Sequence, residues 1–410
     1  MTYRESFNTL RTQFDLPAMT VHLKENDIEI HRCTFRSANS IMLPGAAKYR
    51  CEEHGKEFCE DLESRIHGRV QSYPNALKHG DIDILENKEF TYSLFKKAEP
   101  ARSKKVILLF HGLNEHSWHK YLPWAKILVE RTGKTVVLFP IAFHMNRIPA
   151  EWGQSRPMNA VSCIRRGQSP VIVNSSFANA AISARIEMIP QRFFWSGLQT
   201  FEDVVDLIDG IKKGEHPLID PDASIDVFAY SIGSFLSEIL MMANPHEYFS
   251  ESKLFIFCGG PTLDRMSPNS KFILDSDATI ALYSFYTERL EAELRLDRRI
   301  AHYFSGAHPV GGAFSMLLSY QKNKEMREQR FRELQNQLRA VALKKDDVIP
   351  ANEVLNTLKG DYRDIGVTVD VMDFPYLYTH INPFPDEVAL EKLVDDSFNE
   401  VFERVAEHLA

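Results

Sequence analysis

The chain has 410 residues, with 48 Lys+Arg against 56 Asp+Glu and a formal net charge of -8 at pH 7. The length allows a large buried core, and the acidic balance argues against a nucleic-acid partner or an anionic membrane surface. The five cysteines form no C-x-x-C pair, no apolar run approaches the ~18 residues of a membrane span, and residues 1–17 lack the ~7–15-residue apolar stretch of a secretory signal. A cytoplasmic protein with reduced thiols is the expectation.

Residues 1–84 read as an N-terminal extension packed on the core. Alternating apolar positions predict strands over 27–35 and 81–94, with a polar helix between them at roughly 52–66. Residues 85–140 start the core. A fully apolar strand is expected over 106–110, an amphipathic helix over 118–131 stopped near Gly133, and a strand over 135–139 ended by Pro140. Residues 141–199 carry few regular runs. Within 200–261 the pattern resumes: helix 201–211, strand 224–228, helix 232–242 and strand 254–257. Residues 262–337 hold helical candidates at 280–298 and 313–337. Strands at 338–343 and 367–372 and a helix at 387–409 complete 338–410. Short apolar strands alternating with amphipathic helices imply a mostly parallel sheet covered on both faces. The segments 141–199 and 262–337 both leave C-terminal strand ends, where open α/β sheets bind ligands. The first is therefore expected near the active site and the second as a helical lid. Two basic doublets, Lys104-Lys105 and Arg165-Arg166, read as solvated loop faces.

The chemistry concentrates in Ala229-Tyr230-Ser231-Ile232-Gly233, between a strand and a helix. A strand, a sharp turn bearing a serine and a helix make a nucleophile elbow, and the helix start offers free N–H groups to developing negative charge. The commoner elbow has glycine where Ala229 stands. Taken alone, the serine also fits a helix N-cap. Gly112, in His111-Gly112-Leu113-Asn114 after the 106–110 strand, permits a tight turn that brings the Leu113 amide toward an acyl oxygen, with the Ile232 amide as second donor. His111 reads as a loop residue rather than a base. Asn114, Glu115 and Tyr230 are supporting or substrate-near. Asp346 follows the 338–343 strand, where an orienting carboxylate is needed. Its neighbour Asp347 and the earlier Asp264 are rival acids. His380 lies beyond the last strand, in a position to lean over the sheet edge as the base.

The order Ser231, Asp346, His380, with the elbow and the His111-Gly112 loop, resembles the α/β-hydrolase superfamily over roughly 85–140, 200–260 and 338–410. The whole is similar to a bacterial branch of it with a large lid. The resemblance implies an α/β-hydrolase fold with lid insertions, Ser231 as nucleophile, Asp346 as acid, His380 as base, and Leu113 and Ile232 as oxyanion donors. It also implies acyl transfer through an acyl-enzyme on an ester, thioester or amide, most simply a carboxylic ester. Gly259-Gly260 and Gly311-Gly312 lack the context of a phosphate-cradling loop, so no organic cofactor is expected, and no metal is assigned to the site.

Aromatic residues of the expected lid, Tyr283, Phe285, Tyr286, Phe304 and Phe314, together with Met316, point to an apolar acyl or aromatic group on a small-molecule substrate, or else to packing within the lid. Arg147, Arg156 and Arg192 are candidates for an anionic substrate group. Two other readings stay open. One is a binding or scaffold protein on the same fold. The other is metal chemistry through His111, His116, His119 and His144. Cys258 reads as a structural thiol.

Overall fold

The computed structural model describes residues 1–24, 26–46, 48–59, 73, 77, 80–99 and 101–410. Helix α1 (Tyr3–Phe14) opens the chain on a capping box, in which Thr2 and Glu5 exchange side-chain and backbone hydrogen bonds. Strands β1 (Thr20–Leu23) and β2 (Ile28–Arg36) form a hairpin, and β3 (Tyr49–Cys51) and β4 (Lys56–Phe58) a separate two-stranded ribbon. Then follow β5 (Glu89–Lys97), β6 (Ser103–Phe110), α2 (Leu122–Thr132) and β7 (Thr135–Leu138). Gly133 ends α2 in the left-handed region, at φ 67°.

Helices α3 (Ser155–Gln168), α4 (Ala180–Met188) and α5 (Arg192–Lys212) lead to β8 (Ile219–Tyr230), α6 (Ile232–Ala243) and β9 (Leu254–Phe257). A second helical insertion holds α7 (Ser276–Tyr283), α8 (Leu290–Leu296), α9 (Arg298–Phe304), α10 (Pro309–Leu318) and α11 (Lys324–Leu334). Strand β10 (Leu338–Leu343), α12 (Ala351–Lys359), β11 (Thr368–Met372) and α13 (Glu391–Leu409) close the chain.

Nine strands join in the order β1-β2-β5-β7-β6-β8-β9-β10-β11. The strands from β7 to β11 along this order pair in parallel, and β1, β2 and β5 are antiparallel to their neighbours. The central strands are buried on both sides, which is why 106–110 and 254–257 are continuous apolar runs rather than alternating ones. Their alternation appears in which core each residue enters. Leu108, Val227, Ile256 and Ala340 point to one face, against α5 and α6. Leu109, Phe228, Phe257 and Val341 point to the other, where Trp124 of α2 meets Phe402 of α13. A mostly parallel sheet with helices on both faces and additional helical insertions is the α/β-hydrolase fold.

Several expected elements differ. The described part of the 52–66 helix is the turn and second strand of the β3–β4 ribbon, and the remainder lies outside the described residues. The 81–94 strand starts only at Glu89. Before it, Asp81 is buried in ion pairs with Arg185 and Arg192 and sits in a 3-10 turn off the sheet. The 141–199 segment is largely helical, and α5 begins at Arg192, nine residues before the expected start. Pro157 concealed α3, yet it lies in the first turn, where no intrahelical N–H is required. Arg165 is no loop residue: it is buried on α3 and pairs with Asp275 at 2.7 Å, stitching the first insertion to the second. The 280–298 and 313–337 helices are each subdivided, the first by a π-helical stretch at Ser284–Arg289 and the second by the break before Asn323.

Candidate active site

The elbow follows from how β8 meets α6. Ser231 has φ 55° and ψ -123°, a conformation that costs a non-glycine residue on the order of 1–3 kcal/mol and persists only where its surroundings hold it. Here Ser231 N–H donates to the Phe257 carbonyl at 3.2 Å, and Ser234 N–H donates to the Ser231 carbonyl at 2.9 Å. A Cβ at Gly233 would lie 2.8 Å from the backbone of Phe110 and His111, so α6 approaches β6 this closely only through a glycine. Buried α6 packing offsets the strain: every residue from Gly233 to Met242 is buried.

Two further strand ends converge on the hydroxyl. His380 Nε2 lies 2.7 Å from Ser231 Oγ, and His380 Nδ1 lies 2.8 Å from Asp346 Oδ2. The other carboxylate oxygen of Asp346 accepts the N–H groups of Val348 and Ile349, at 2.9 and 2.8 Å. All three side chains are buried. Asp347 faces solvent. Asp264 is taken up elsewhere, accepting from Thr262 Oγ1, Ser319 Oγ and the Tyr320 N–H. Tyr230 secures the His380 turn: its ring stacks on the imidazole, 5.4 Å between centroids, and its hydroxyl donates to the His380 carbonyl.

Among the described residues, neither the Leu113 nor the Ile232 backbone N–H has a protein acceptor. The Leu113 loop is held from behind. Gly112 N–H donates to Tyr121 Oη at 2.9 Å, Tyr121 donates on to Glu115, and Lys120 pairs with Glu115 while lying over the Tyr230 ring. Asn114, at φ 61°, donates its amide to the carbonyls of Ala178 and Phe272, fastening both insertions to this loop. Its side chain is thus occupied with scaffold, as is that of Glu115. His111 is fully buried: it accepts the Ile141 N–H at 3.0 Å on Nε2 and places Nδ1 2.8 Å from the Gly112 carbonyl. Burial, His144 and nearby cationic groups hold its pKa far below the usual histidine value, so it stays neutral.

Leu113 and Ile232 also border an apolar cavity of about 50 Å³. Phe193, Phe194, Phe235, Ile239 and Phe314 form much of its wall. Of the aromatic residues expected from the second insertion, Phe314 lines this space, while Tyr286 and Phe304 pack behind it against Phe314. Tyr283 donates its hydroxyl to the Met266 carbonyl, and Phe285 and Met316 belong to the surrounding core. The sequence reading missed the α5 contribution. Phe193 and Phe194 fall in the segment expected to be irregular, although 193–198 already carries helical apolar spacing into the α5 stripe.

The arginine candidates separate. Arg147 is buried against Asp203 at 2.7 Å and Arg192 against Asp81, so neither is available to a substrate, while Arg156 is exposed. The four histidines of the metal reading have other partners: besides His111, His119 bonds Asp15, His116 bonds Asn114, and His144 Nδ1 meets the Ala142 carbonyl. Cys258 is fully buried, and burial together with the Asp346 carboxylate pushes its thiol pKa well up.

The chain matches the family described as a family of unknown function (DUF6051) over residues 1–410, and it belongs to that family. No curated protein sequence matches it. Among solved structures it is similar to carboxyl esterase 2 of the mycorrhizal fungus Tuber melanosporum, at 12% identity and TM-score 0.42, over 78% of this chain and 82% of that one. It is also similar to the hyperthermophilic esterase of the archaeon Pyrobaculum calidifontis, at 10% identity and TM-score 0.43, over 99% and 88%. A thermostable esterase of Pseudomonas putida matches at 9% identity and TM-score 0.40, over 85% and 89%.

Proposed function

We propose that this protein is a serine hydrolase that cleaves a small-molecule ester, thioester or amide, most simply a carboxylic ester, through an acyl-enzyme. The observation that carries the proposal is the unbroken relay from Ser231 Oγ through His380 to Asp346, with contacts of 2.7 and 2.8 Å. Asp346 holds the proton on Nδ1, which leaves Nε2 as the acceptor for the serine proton. As Ser231 attacks the carbonyl, that proton passes to Nε2 and the oxygen becomes an oxyanion between the Leu113 and Ile232 amides. His380 then protonates the leaving group. Water, deprotonated by the same nitrogen, releases the acid and restores the serine. A preorganised donor of this kind typically contributes about 3 kcal/mol to the transition state.

The cavity beside the two amides supports an apolar acyl or aromatic group as the part of the substrate that is bound. The second insertion acts as the cap over that group. A cytoplasmic location belongs to the same reading, supported by five cysteines that are all free thiols. Among the described residues, no helix is long and apolar enough to cross a membrane.

The test is labelling with a fluorophosphonate followed by mass mapping, together with a panel of aryl esters of increasing acyl length. Modification is expected at Ser231, with a sharp optimum in acyl length, and Ser231→Ala should retain the fold and lose turnover by about 10⁴-fold or more. A folded wild-type protein that neither labels nor turns over any ester, thioester or amide would leave a binding protein on this fold.

A further inference from the structure

A second convergence of reactive side chains lies outside the Ser231 relay. Cys51 and His54 come from the β3–β4 ribbon, and His302 and His308 from α9 and the start of α10. One ligating atom from each of the four lies within 4.8 Å of every other. Cys51 Sγ is 3.6 Å from His54 Nδ1 and 3.5 Å from His308 Nε2, and the Nε2 atoms of His302 and His308 are 3.0 Å apart. Metal bonds of about 2.0–2.3 Å in a tetrahedron place ligand atoms roughly 3.3–3.8 Å from one another, so the cluster needs only small adjustment.

The three imidazole rings are steeply inclined to one another. His302 and His308 cross at 88°, His54 and His302 at 90°, and His54 and His308 at 76°. His308 Nδ1 lies 2.9 Å from a Glu53 carboxylate oxygen, the outer partner that commonly orients a metal-bound histidine. Cys51, His302 and His308 are buried. Without an ion, at most one proton could bridge the two facing imidazole nitrogens, while the backbone N–H groups of Glu53 and His54 turn toward the Cys51 sulfur, donors that suit a thiolate.

We propose that Cys51, His54, His302 and His308 form a closed zinc site that ties the β3–β4 ribbon to the second helical insertion. One thiolate and three imidazoles suit a borderline-soft ion, and four protein ligands leave no open position, so the role is structural. The Cys51 thiol gives up its proton on binding. The staple fixes α10, and with it Val310 and Phe314 of the apolar cavity.

The test uses the full chain purified without chelator. About one equivalent of zinc per chain is expected by elemental analysis, since one four-ligand set holds one ion. After chelation, cobalt(II) alone should restore a thiolate-to-cobalt charge-transfer band and intense tetrahedral d–d absorption. Cys51→Ser should abolish the charge-transfer band, and Cys59→Ser should keep it. On the wild-type chain, zinc should protect Cys51 from iodoacetamide, and chelation should expose it and lower Tm by several degrees. This second measurement decides the matter even if Cys51→Ser fails to fold. A folded wild-type chain that takes up no stoichiometric zinc and gives only weak octahedral cobalt absorption overturns the proposal. So does alkylation of Cys51 in the zinc-treated protein, which would mark a free nucleophilic thiol.

Discussion

Two buried histidines are built alike and surrounded differently. His380 meets Asp346 through Nδ1 and turns Nε2 toward the Ser231 hydroxyl; His308 meets Glu53 through Nδ1 and turns Nε2 toward the Cys51 thiol. Next to Ser231 in the chain, Ile232 borders an apolar cavity together with Leu113, and the backbone N–H groups of both have no protein acceptor among the described residues. Around His308 stand two more imidazoles. A carboxylate behind an imidazole only fixes which nitrogen faces forward. On the two proposals, what lies in front decides the chemistry: a hydroxyl makes a relay, and a thiol with two further nitrogens makes a ligand set.

The largest expected effect comes from removing the carboxylate charge at each histidine. In Asp346→Asn the amide oxygen must stay with the Val348 and Ile349 N–H groups, which turns the NH₂ toward His380. Nδ1 then becomes the acceptor, the proton moves to Nε2, and Ser231 loses its base. Turnover should fall by about 10³–10⁴-fold, with Tm nearly unchanged. Asp347→Asn, at an exposed position, should stay within about twofold of wild type. The matching change, Glu53→Gln, should weaken zinc binding by about 10–100-fold, read by chelator competition. If Asp346→Asn keeps full kcat, the relay is not catalytic. If Glu53→Gln leaves zinc affinity unchanged, Glu53 does not orient a ligand.

Histidines without a carboxylate sharpen the contrast through pH. His144 is buried beside backbone groups, and burial lowers its pKa from 6.5 to about 4. Burial depresses His111 as well, and it lowers His216, which accepts N–H groups from Leu218 and Ile219 on Nδ1. The unfolded chain therefore takes up protons first as pH falls. The stability these groups contribute is complete above about pH 6.5 and is lost on descending toward pH 4, by about 3 kcal/mol for His144 alone. Urea midpoints measured from pH 8 to 4.5 should fall across that window, and His144→Gln should flatten the fall. A wild-type midpoint independent of pH would show that these imidazoles are not held neutral.

The sequence made the core legible because its strands are short continuous apolar runs. The residues 254–257 and 338–343 are strands at the expected limits. Of the candidate site, Ser231, Asp346 and His380 were legible from strand ends, and the structure brings these three side chains within 2.7 and 2.8 Å of one another in sequence from hydroxyl to imidazole to carboxylate. The choice between Asp346 and Asp347 is made by the turn, which buries one and exposes the other. The insertions were harder to read because polar pairing replaces apolar periodicity there. Asp81, Arg185 and Arg192 form a buried ion cluster, and Arg165 with Asp275 another. The Cys51 cluster escapes a reading of the sequence for a different reason: its two halves, one on the β3–β4 ribbon and one on α9 and the start of α10, lie about 250 residues apart.

Tyr230 offers the finest test of what positions His380. Its hydroxyl donates to the His380 backbone carbonyl while its ring stacks on the imidazole. Tyr230→Phe keeps the ring and removes only the donor, leaving a buried carbonyl unpaired at a cost of about 1–3 kcal/mol. A Tm lower by a few degrees follows for either a positioning or a purely structural hydroxyl. The two separate in the kinetics. If the hydroxyl aims the histidine, kcat should fall about tenfold with KM nearly constant, because proton transfer depends on sub-ångström placement and substrate binding does not. An unchanged kcat in a destabilised Tyr230→Phe would assign the aiming of His380 to Asp346 and ring stacking alone.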